Sequence, residues 1–402
     1  MQVLEDLTVL DLSNLVPGAL CTMILADMGA EVIKIEPPKP FPIADIGYSP
    51  DGEERRREAS FWTLNRNKKS LAINLKAAEG KKVIYRLAEK ADVLIEGYRP
   101  GVVERLGVDY KTISKINPNI IYCSLSGYGQ DGPYRLYSGH DVNYISMTGA
   151  LGAIGPADGP PSIPLNLIGD FGGASLYGTI SILLAYLARQ KTGKGQYIDH
   201  AYLDGALHMM TWFTQRYFYN GTVLKRGGSH LNGSFPYYGA YETKDGKYLS
   251  IGCVEPKFWE NLMNALGNEE YTPLCWSAED TYREPTEKQM EITAYLKKVF
   301  LTKTRDEWFD LLAPKDVPVG KVYSIDEVLS DPQILHRELV LEIDDPRVGK
   351  VKQVGIVPKL SETPGKIRWL APILGEHTEE ILLSHGYDRG EIDQLRKDGV
   401  IK

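Results

Sequence analysis

The feature that most constrains this chain is a series of short, continuously apolar runs set between helix-length segments. LTVLDLS (Leu7–Ser13) reads as a strand. The residues from Pro17 to Gly29 have Ala, Leu and Met at helical spacing with a glycine stop, and AEVIKIEP reads as a second strand halted by Pro37 and Pro38. A strand that is apolar on both faces must be covered on both, and a strand–helix–strand unit brings its second strand back parallel to the first. The pattern continues. SLAINL, ADVLIEGY and IIYCSLSGYG read as buried strands, with GKKVIYRLAEK as an amphipathic helix and RPGVVERLGVDYKTISKIN as a short one between them. SLYGTISILLAYLARQKTGKG reads as a long apolar helix with a basic last turn and a glycine stop, which suits the helix dipole. QYIDHAYLDGALHMMTWFTQRYF then reads as a strand running into a further helix, while residues 39–59 read as an exposed loop.

A chain of 402 residues is too long for one ordinary core. The pattern changes near Asn220, where a linker leads into an antiparallel hairpin with Lys244-Asp245-Gly246 at its turn. Helices are expected near 256–266, 286–302 and 305–312, and two short amphipathic ones, TEEILLSHG and RGEIDQLRKDG, near the end. The expected architecture is α/β: a large Rossmann-like parallel-sheet domain from residues 1–220, a smaller α+β domain from 221–325, and a segment, 326–402, returning to the large domain.

Net charge of −7 gives no support to a nucleic-acid partner, so any anionic ligand must be met by a local basic site. Cys21, Cys123, Cys253 and Cys275 are far apart with no CxxC spacing, which fits a reducing compartment without disulfides or a zinc site. The first residues carry acidic groups where a signal peptide has basic ones. No apolar run read from the sequence approaches the roughly 20 residues that span a bilayer. A cytoplasmic protein without a membrane partner is expected. The first strand is not followed by GxGxxG, which argues against a nicotinamide enzyme.

Chemistry concentrates between Gly139 and Gly173, in SGHDVNYISMTGALGAIGPADGPPSIPLNLIGDFGG. An adjacent imidazole and carboxylate, His140 and Asp141, open the stretch, and Asp170 stands before the long apolar helix. Such groups suit acid–base or nucleophilic work. By themselves they also read as ordinary helix starts: Asp170 as an N-cap, Glu255-Pro256 as a first turn, His140-Asp141 as a surface pair.

Longer motifs decide between these readings. VLDLSNLVPGALCTMILADMGAEVIKIEPP, NRNKKSLAINL, ADVLIEGYRPGVVERLG and SLSGYGQDGPY resemble the opening half of the family III CoA-transferases (CaiB/BaiF), which include α-methylacyl-CoA racemases. SGHDVNYISMTGAL, PLNLIGDFGG and IGCVEPKFW resemble the racemase branch, whereas KLSETPGKIRWLAPILGEHTEEILLSHGYD resembles the transferase members. The racemase resemblance implies that His140, Asp170 and Glu255 are the active-site groups. His140 and Asp170 would exchange the α-proton of a 2-methylacyl-CoA from opposite faces, Glu255 would orient His140, and the N–H groups of Phe171-Gly172-Gly173 would hold the enolate oxygen. The transferase resemblance implies Asp170 alone as nucleophile, passing through an acyl anhydride and an enzyme thioester. A third alternative is an acyl-CoA-binding protein that kept the fold without catalysis.

The same resemblance places Arg105 at a CoA-phosphate position with Arg99 beside it. Arg66, Lys68 and Lys69 form a second basic cluster, from which Arg66 and Lys69 are candidate CoA contacts. Pro37-Pro38 stand where some racemases carry an arginine that touches CoA. No metal and no cofactor are implied, CoA being part of the substrate. Family members are interlocked homodimers, and Met209–Tyr219 is expected in the dimer core, the alternative being that it lines an apolar acyl site.

Overall fold

A computed structural model describes residues 1–38, 63–277, 280, 283–347 and 349–402. The expected loop at 39–59 lies outside the described residues. The chain forms two compact units, one of Met1–Ile145, Asn166–Met209 and His336–Lys402, the other of Ser146–Leu165 and Met210–Leu335. These borders differ from those expected. The chain leaves the large unit at Met210 and returns at His336, and residues 146–165, read as part of the large domain, belong to the smaller unit.

In the large unit β1 (Thr8–Leu12), β2 (Glu31–Glu36), β3 (Lys68–Ala72), β4 (Val93–Glu96), β5 (Ile121–Ser126) and β6 (Gln196–Ala201) make one sheet. Its order is β3-β2-β1-β4-β5-β6, with every pairing parallel. That is the doubly wound order, in which ligands bind beyond the carboxyl ends of the strands where the order reverses, here between β1 and β4. Both faces are buried, as the unbroken apolar runs require. Leu10, Ile33, Leu71 and Leu94 pack with Ile84, Ile381, Leu382 and Ile392 on one face. Val9, Val32, Val93 and Ile121 pack with Cys21, Leu25 and Ile182 on the other. The C-terminal helices Thr378–Ser384 and Arg389–Lys397 thus complete the core of the large unit. The single helix expected after β4 is two, Val102–Leu106 and Tyr110–Ile116, because Gly107 adopts the left-handed conformation (φ 71°) that ends the first. A hairpin, β10 (Val340–Asp345) and β11 (Gly349–Val354), was hidden from the sequence reading in the proline-punctuated tail.

The long apolar helix begins earlier than the sequence suggests. Leu167–Leu176 is wound as a wider π-helix, with the Phe171 N–H reaching back five residues to the Asn166 carbonyl (3.3 Å), and runs directly into Tyr177–Thr192. Together these 26 residues are long and apolar enough to cross a bilayer, which corrects the expectation that no such run exists. Nearly half of the most apolar window (44%) is buried, with Ala174, Ile182 and Ala185 in the sheet's core.

The smaller unit holds a three-stranded antiparallel sheet, β7 (Tyr238–Glu242), β8 (Tyr248–Gly252) and β9 (Val319–Val322). The β7–β8 turn is the expected one, with Gly246 at φ 72°. Helices Pro256–Leu266, Glu287–Phe300 and Arg305–Leu312 cover it around Trp259, Phe300, Trp308 and Leu312.

Across β1, β2 and β3 lies a wholly buried charge cluster. Lys68 Nζ donates to Asp11 (3.3 Å), the Ala19 carbonyl (2.9 Å) and Asn65 (2.9 Å), while Lys34 Nζ donates to the Ser13 carbonyl (2.8 Å) and stands 3.9 Å from Asp11. Burial raises the Asp11 pKa, but the two lysine charges and hydrogen bonds from Ser13 and Thr22 overcome it and bring the value to about 2. Such a depressed carboxylate stabilises the fold fully above its ordinary value of 3.8, and that contribution fades as pH falls towards about 2. Asp11→Asn leaves two buried ammonium groups uncompensated and is expected to cost about 3–5 kcal/mol. Urea unfolding at neutral pH measures this, and the difference from the parent chain should shrink as the acid limit is approached.

Candidate active site

The chain leaves β5 at Ser126 and passes through an aromatic cluster before reaching His140. Tyr144 meets Tyr128 (5.2 Å) and Tyr202 (5.4 Å) edge-on, and its hydroxyl donates to the Gly139 carbonyl (2.7 Å). A side chain at Gly139 would strike the Tyr144 ring at 2.7 Å, so glycine lets the ring pin this loop. His140 opens the helix Asp141–Met147: its carbonyl accepts from the Asn143 and Tyr144 N–H groups (2.9 and 3.3 Å), and its own N–H donates to the Asn143 side chain (3.0 Å). The imidazole is exposed and makes no hydrogen bond among the described residues.

Asp170 sits in the first turn of the Leu167–Leu176 segment, half-buried, with one oxygen accepting from Asn166 Nδ2 (3.2 Å). Burial pushes its pKa up. The Asn166 hydrogen bond pulls it down, the neighbouring Asp141 charge pushes it up, and His140 pulls it down. Asp141 itself is buried, and its Oδ2 accepts from the backbone N–H groups of Gly169 (2.6 Å) and Asp170 (2.9 Å). His140, Asp141 and Asp170 therefore form one electrostatic group in the large unit. Glu255 lies in the smaller unit as the N-cap residue of Pro256–Leu266. Its carboxylate is exposed, caps no N–H and makes no ion pair among the described residues. Sequence reasoning noted Asp141 only as a neighbour of His140 and passed over Asn166. The one legible signal for Asp141 was its place in the first turn of a helix.

The glycines after Asp170 have a different use from the one expected. Phe171 N–H is spent on the Asn166 carbonyl. A Cβ on Gly172 would meet the Met209 sulfur at 2.7 Å, and one on Gly173 would meet the Ala206 nitrogen at 2.8 Å and the Tyr202 carbonyl at 3.1 Å. Gly172 and Gly173 are buried in helix packing against Tyr202–Met209 and do not offer free N–H groups to an oxyanion.

The candidate CoA-binding cations divide into two kinds. Arg99 and Arg105 are exposed, follow β4 at the point where the strand order reverses, and make no ion pair among the described residues; Arg99 donates to the Ser138 hydroxyl. At the end of β4 Glu96 is buried, accepts the Tyr98 N–H (2.8 Å) and has its pKa pushed by burial up to about 7. Arg66, by contrast, is buried. Its Nε and Nη2 bind Asp27 (3.0 and 2.6 Å), and Nη1 reaches the Val354 carbonyl in β11. Lys69 pairs with Glu31 (2.7 Å) and Glu380 (2.8 Å). The reading of Arg66 as a ligand cation is therefore corrected: its donors are consumed in joining the N-terminal helix to the C-terminal hairpin. Lys69 already serves two carboxylates.

The large unit is thus a doubly wound sheet with exposed arginines where its strand order reverses and an imidazole–carboxylate group beyond β5. Residues 4–378 match the family model described as CoA-transferase family III. The chain is 34% identical over 403 residues to human "Alpha-methylacyl-CoA racemase", covering 99% of this chain and 97% of that one. It is equally 34% identical, over 384 residues, to "Succinyl-CoA--D-citramalate CoA-transferase" of Chloroflexus aurantiacus, covering 94% of this chain and 92% of that one. Among solved structures, a CAIB/BAIF family protein from Brucella suis superposes with a TM-score of 0.81 at 30% identity, over 96% of this chain and 99% of that one. The chain belongs to the CoA-transferase family III.

Replacing Arg66 by alanine leaves Asp27 buried without its partner. A loss of about 3–5 kcal/mol is expected on denaturant unfolding, whereas Lys69→Ala, at a partly exposed site, should change stability less. Equal stability of the two variants would contradict the structural role given to Arg66.

Proposed function

We propose that the protein epimerises the α-carbon of 2-methylacyl-CoA thioesters by proton transfer through an enolate. The observation that carries this reading is the pairing of an unencumbered imidazole, His140, with a carboxylate whose proton affinity is raised, Asp170, in one electrostatic group. An α-proton next to a thioester is weakly acidic, so its removal needs a base of substantial basicity, and delivery to the opposite face needs a second group that already carries a proton. Each residue acts as base in one direction and acid in the other. Arg99 and Arg105 are the cations available to the CoA phosphates, and charge-assisted contacts of that kind are worth about 1.5–3 kcal/mol. Arg105→Ala is therefore expected to raise the dissociation constant for CoA thioesters roughly 10- to 100-fold without loss of stability, as read by calorimetry.

The second reading is CoA transfer with Asp170 as nucleophile, favoured by the transferase-like C-terminal run and by the equal identity to a curated transferase. A single-enantiomer 2-methylacyl-CoA in deuterated water, with no acceptor acid, separates the two. Racemisation requires deuterium at the α-carbon together with loss of optical purity. Transfer of CoA to an added carboxylic acid without exchange overturns the racemase reading. Because the Asp170 pKa is raised, the acid limb of the rate profile should lie above the ordinary aspartate value of 3.8. Asp170→Asn should abolish either activity, while His140→Ala should abolish only racemisation.

The interlocked homodimer is likewise a proposal, with a second copy of this chain as partner. Leu176, Ile180, Leu184 and Leu187 form an exposed apolar stripe at helical spacing. The helix Thr211–Asn220 buries none of its residues within the chain, leaving Trp212, Phe218 and Tyr219 exposed. Light scattering should report a dimer for the parent chain and a smaller species for Leu184→Glu/Leu187→Glu. A parent chain that is monomeric at micromolar concentration would contradict the proposal.

A further inference from the structure

We propose that Asp141 is the positioning residue for Asp170: its carboxylate holds the Asp170 backbone in place from a neighbouring helix and keeps an uncompensated negative charge beside the reacting group. The inference rests on reading Asp170 as the reacting carboxylate, whether base or nucleophile.

The geometry is specific. One oxygen, Asp141 Oδ2, takes both the Gly169 N–H (2.6 Å) and the Asp170 N–H (2.9 Å). These are first-turn donors with no acceptor inside their own helix. An ordinary N-cap would satisfy them from the same segment. Here the acceptor comes from 28 and 29 residues earlier in the chain, so the bond fixes the start of one helix against the start of another. Gly169 makes the approach possible, since a Cβ there would lie 2.8 Å from Asp141 Oδ2.

The second oxygen, Oδ1, is buried with no hydrogen-bond partner, and Asp141 makes no ion pair among the described residues. Only 4% of the residue is exposed. A cap needs nothing more than an acceptor, and a neutral amide would serve. A buried carboxylate with one free oxygen and no cation places a charge where capping does not demand one, and a like charge disfavours ionisation of its neighbour. The groups that act electrostatically on Asp170 are Asp141 and His140 from the Asp141–Met147 helix and its entry, and Asn166 on its own segment. From the packed elements come the phenols of Tyr144 and Tyr202, both held neutral by burial, which raises their pKa values. Asp141 is thus the like charge in this set, and it acts in the same direction as burial.

The test separates acceptor from charge. Asp141→Asn keeps an oxygen for the two N–H groups and removes the charge, whereas Asp141→Ala removes both. For Asp141→Ala, the rate constant kcat should fall roughly 100-fold, the cost of a misplaced reacting group, with KM little changed. Amide hydrogen exchange in the peptide spanning 166–172 should accelerate. For Asp141→Asn, the amides should stay protected, the rate should remain within roughly tenfold of the parent on the same scale, and the acid limb of the kcat profile should move to lower pH. An Asp141→Ala chain with parental rate and parental amide exchange overturns the proposal. An Asp141→Asn chain with an unmoved acid limb overturns the charge and leaves a cap. If the alanine variant does not fold by circular dichroism, the asparagine variant decides alone. If the parent chain catalyses neither exchange nor transfer, the reading of Asp170 has failed, and amide exchange at Gly169 and Asp170 still decides whether Asp141 holds them.

Discussion

The large unit depends on the close crossing of two helices at a pair of glycines. The Leu167–Leu176 segment and the Tyr202–Met209 helix approach so tightly that a side chain on Gly205 would overlap the Gly173 carbonyl. Wider winding of the first segment and glycines at its contacts permit this. His200, buried beneath, adds a bond from its ring nitrogen to the Gly173 carbonyl (2.9 Å). The consequence for chemistry is positional. Asp170 lies on a segment gripped from one side by helix packing and tied at its start by Asp141, and a reacting carboxylate needs that rigidity more than it needs a strong intrinsic base.

Charge is distributed by the same logic. Several buried ions are paired: Asp11 with Lys34 and Lys68, Arg66 with Asp27. They bind strand to strand and the N-terminal helix to the C-terminal hairpin, so their removal costs stability and not chemistry. The groups proposed to meet a substrate make no ion pair among the described residues: Arg99 and Arg105 at the switch point and His140 at a helix start. Asp141 lies between these kinds, buried yet only half satisfied, and that intermediate state is what gives it influence over Asp170.

Much of the architecture was legible because it follows from periodicity. Runs such as VLDL, EVIKIE and VLIE can be satisfied only by a sheet covered on both faces, and Lys244-Asp245-Gly246 can hardly be anything but a hairpin turn. The long motifs around His140, Asp170 and Glu255 carried the family, which no count of charges could. What escaped depended on distance in the chain. Arg66 looks like Arg99 in sequence, and only the fold sets Asp27 against it. The glycines of GDFGG looked like an oxyanion cradle because the partner helix, thirty residues on, could not be seen. Asp141 was read as a neighbour of His140, since nothing local reveals that its carboxylate reaches Gly169. The 26-residue apolar helix was missed because π-winding of its first third has no simple sequence period.

The central claim is that two bases act on opposite faces of one carbon. The most direct measurement is α-proton exchange in deuterated water with each enantiomer of a 2-methylacyl-CoA, in Asp170→Asn and in His140→Ala. With two bases, each variant has lost one, so each should exchange the α-proton of only one enantiomer, without inversion, and the two variants should prefer opposite enantiomers. Identical behaviour of the two variants towards both enantiomers, or exchange by neither alongside intact CoA transfer in His140→Ala, would contradict the account.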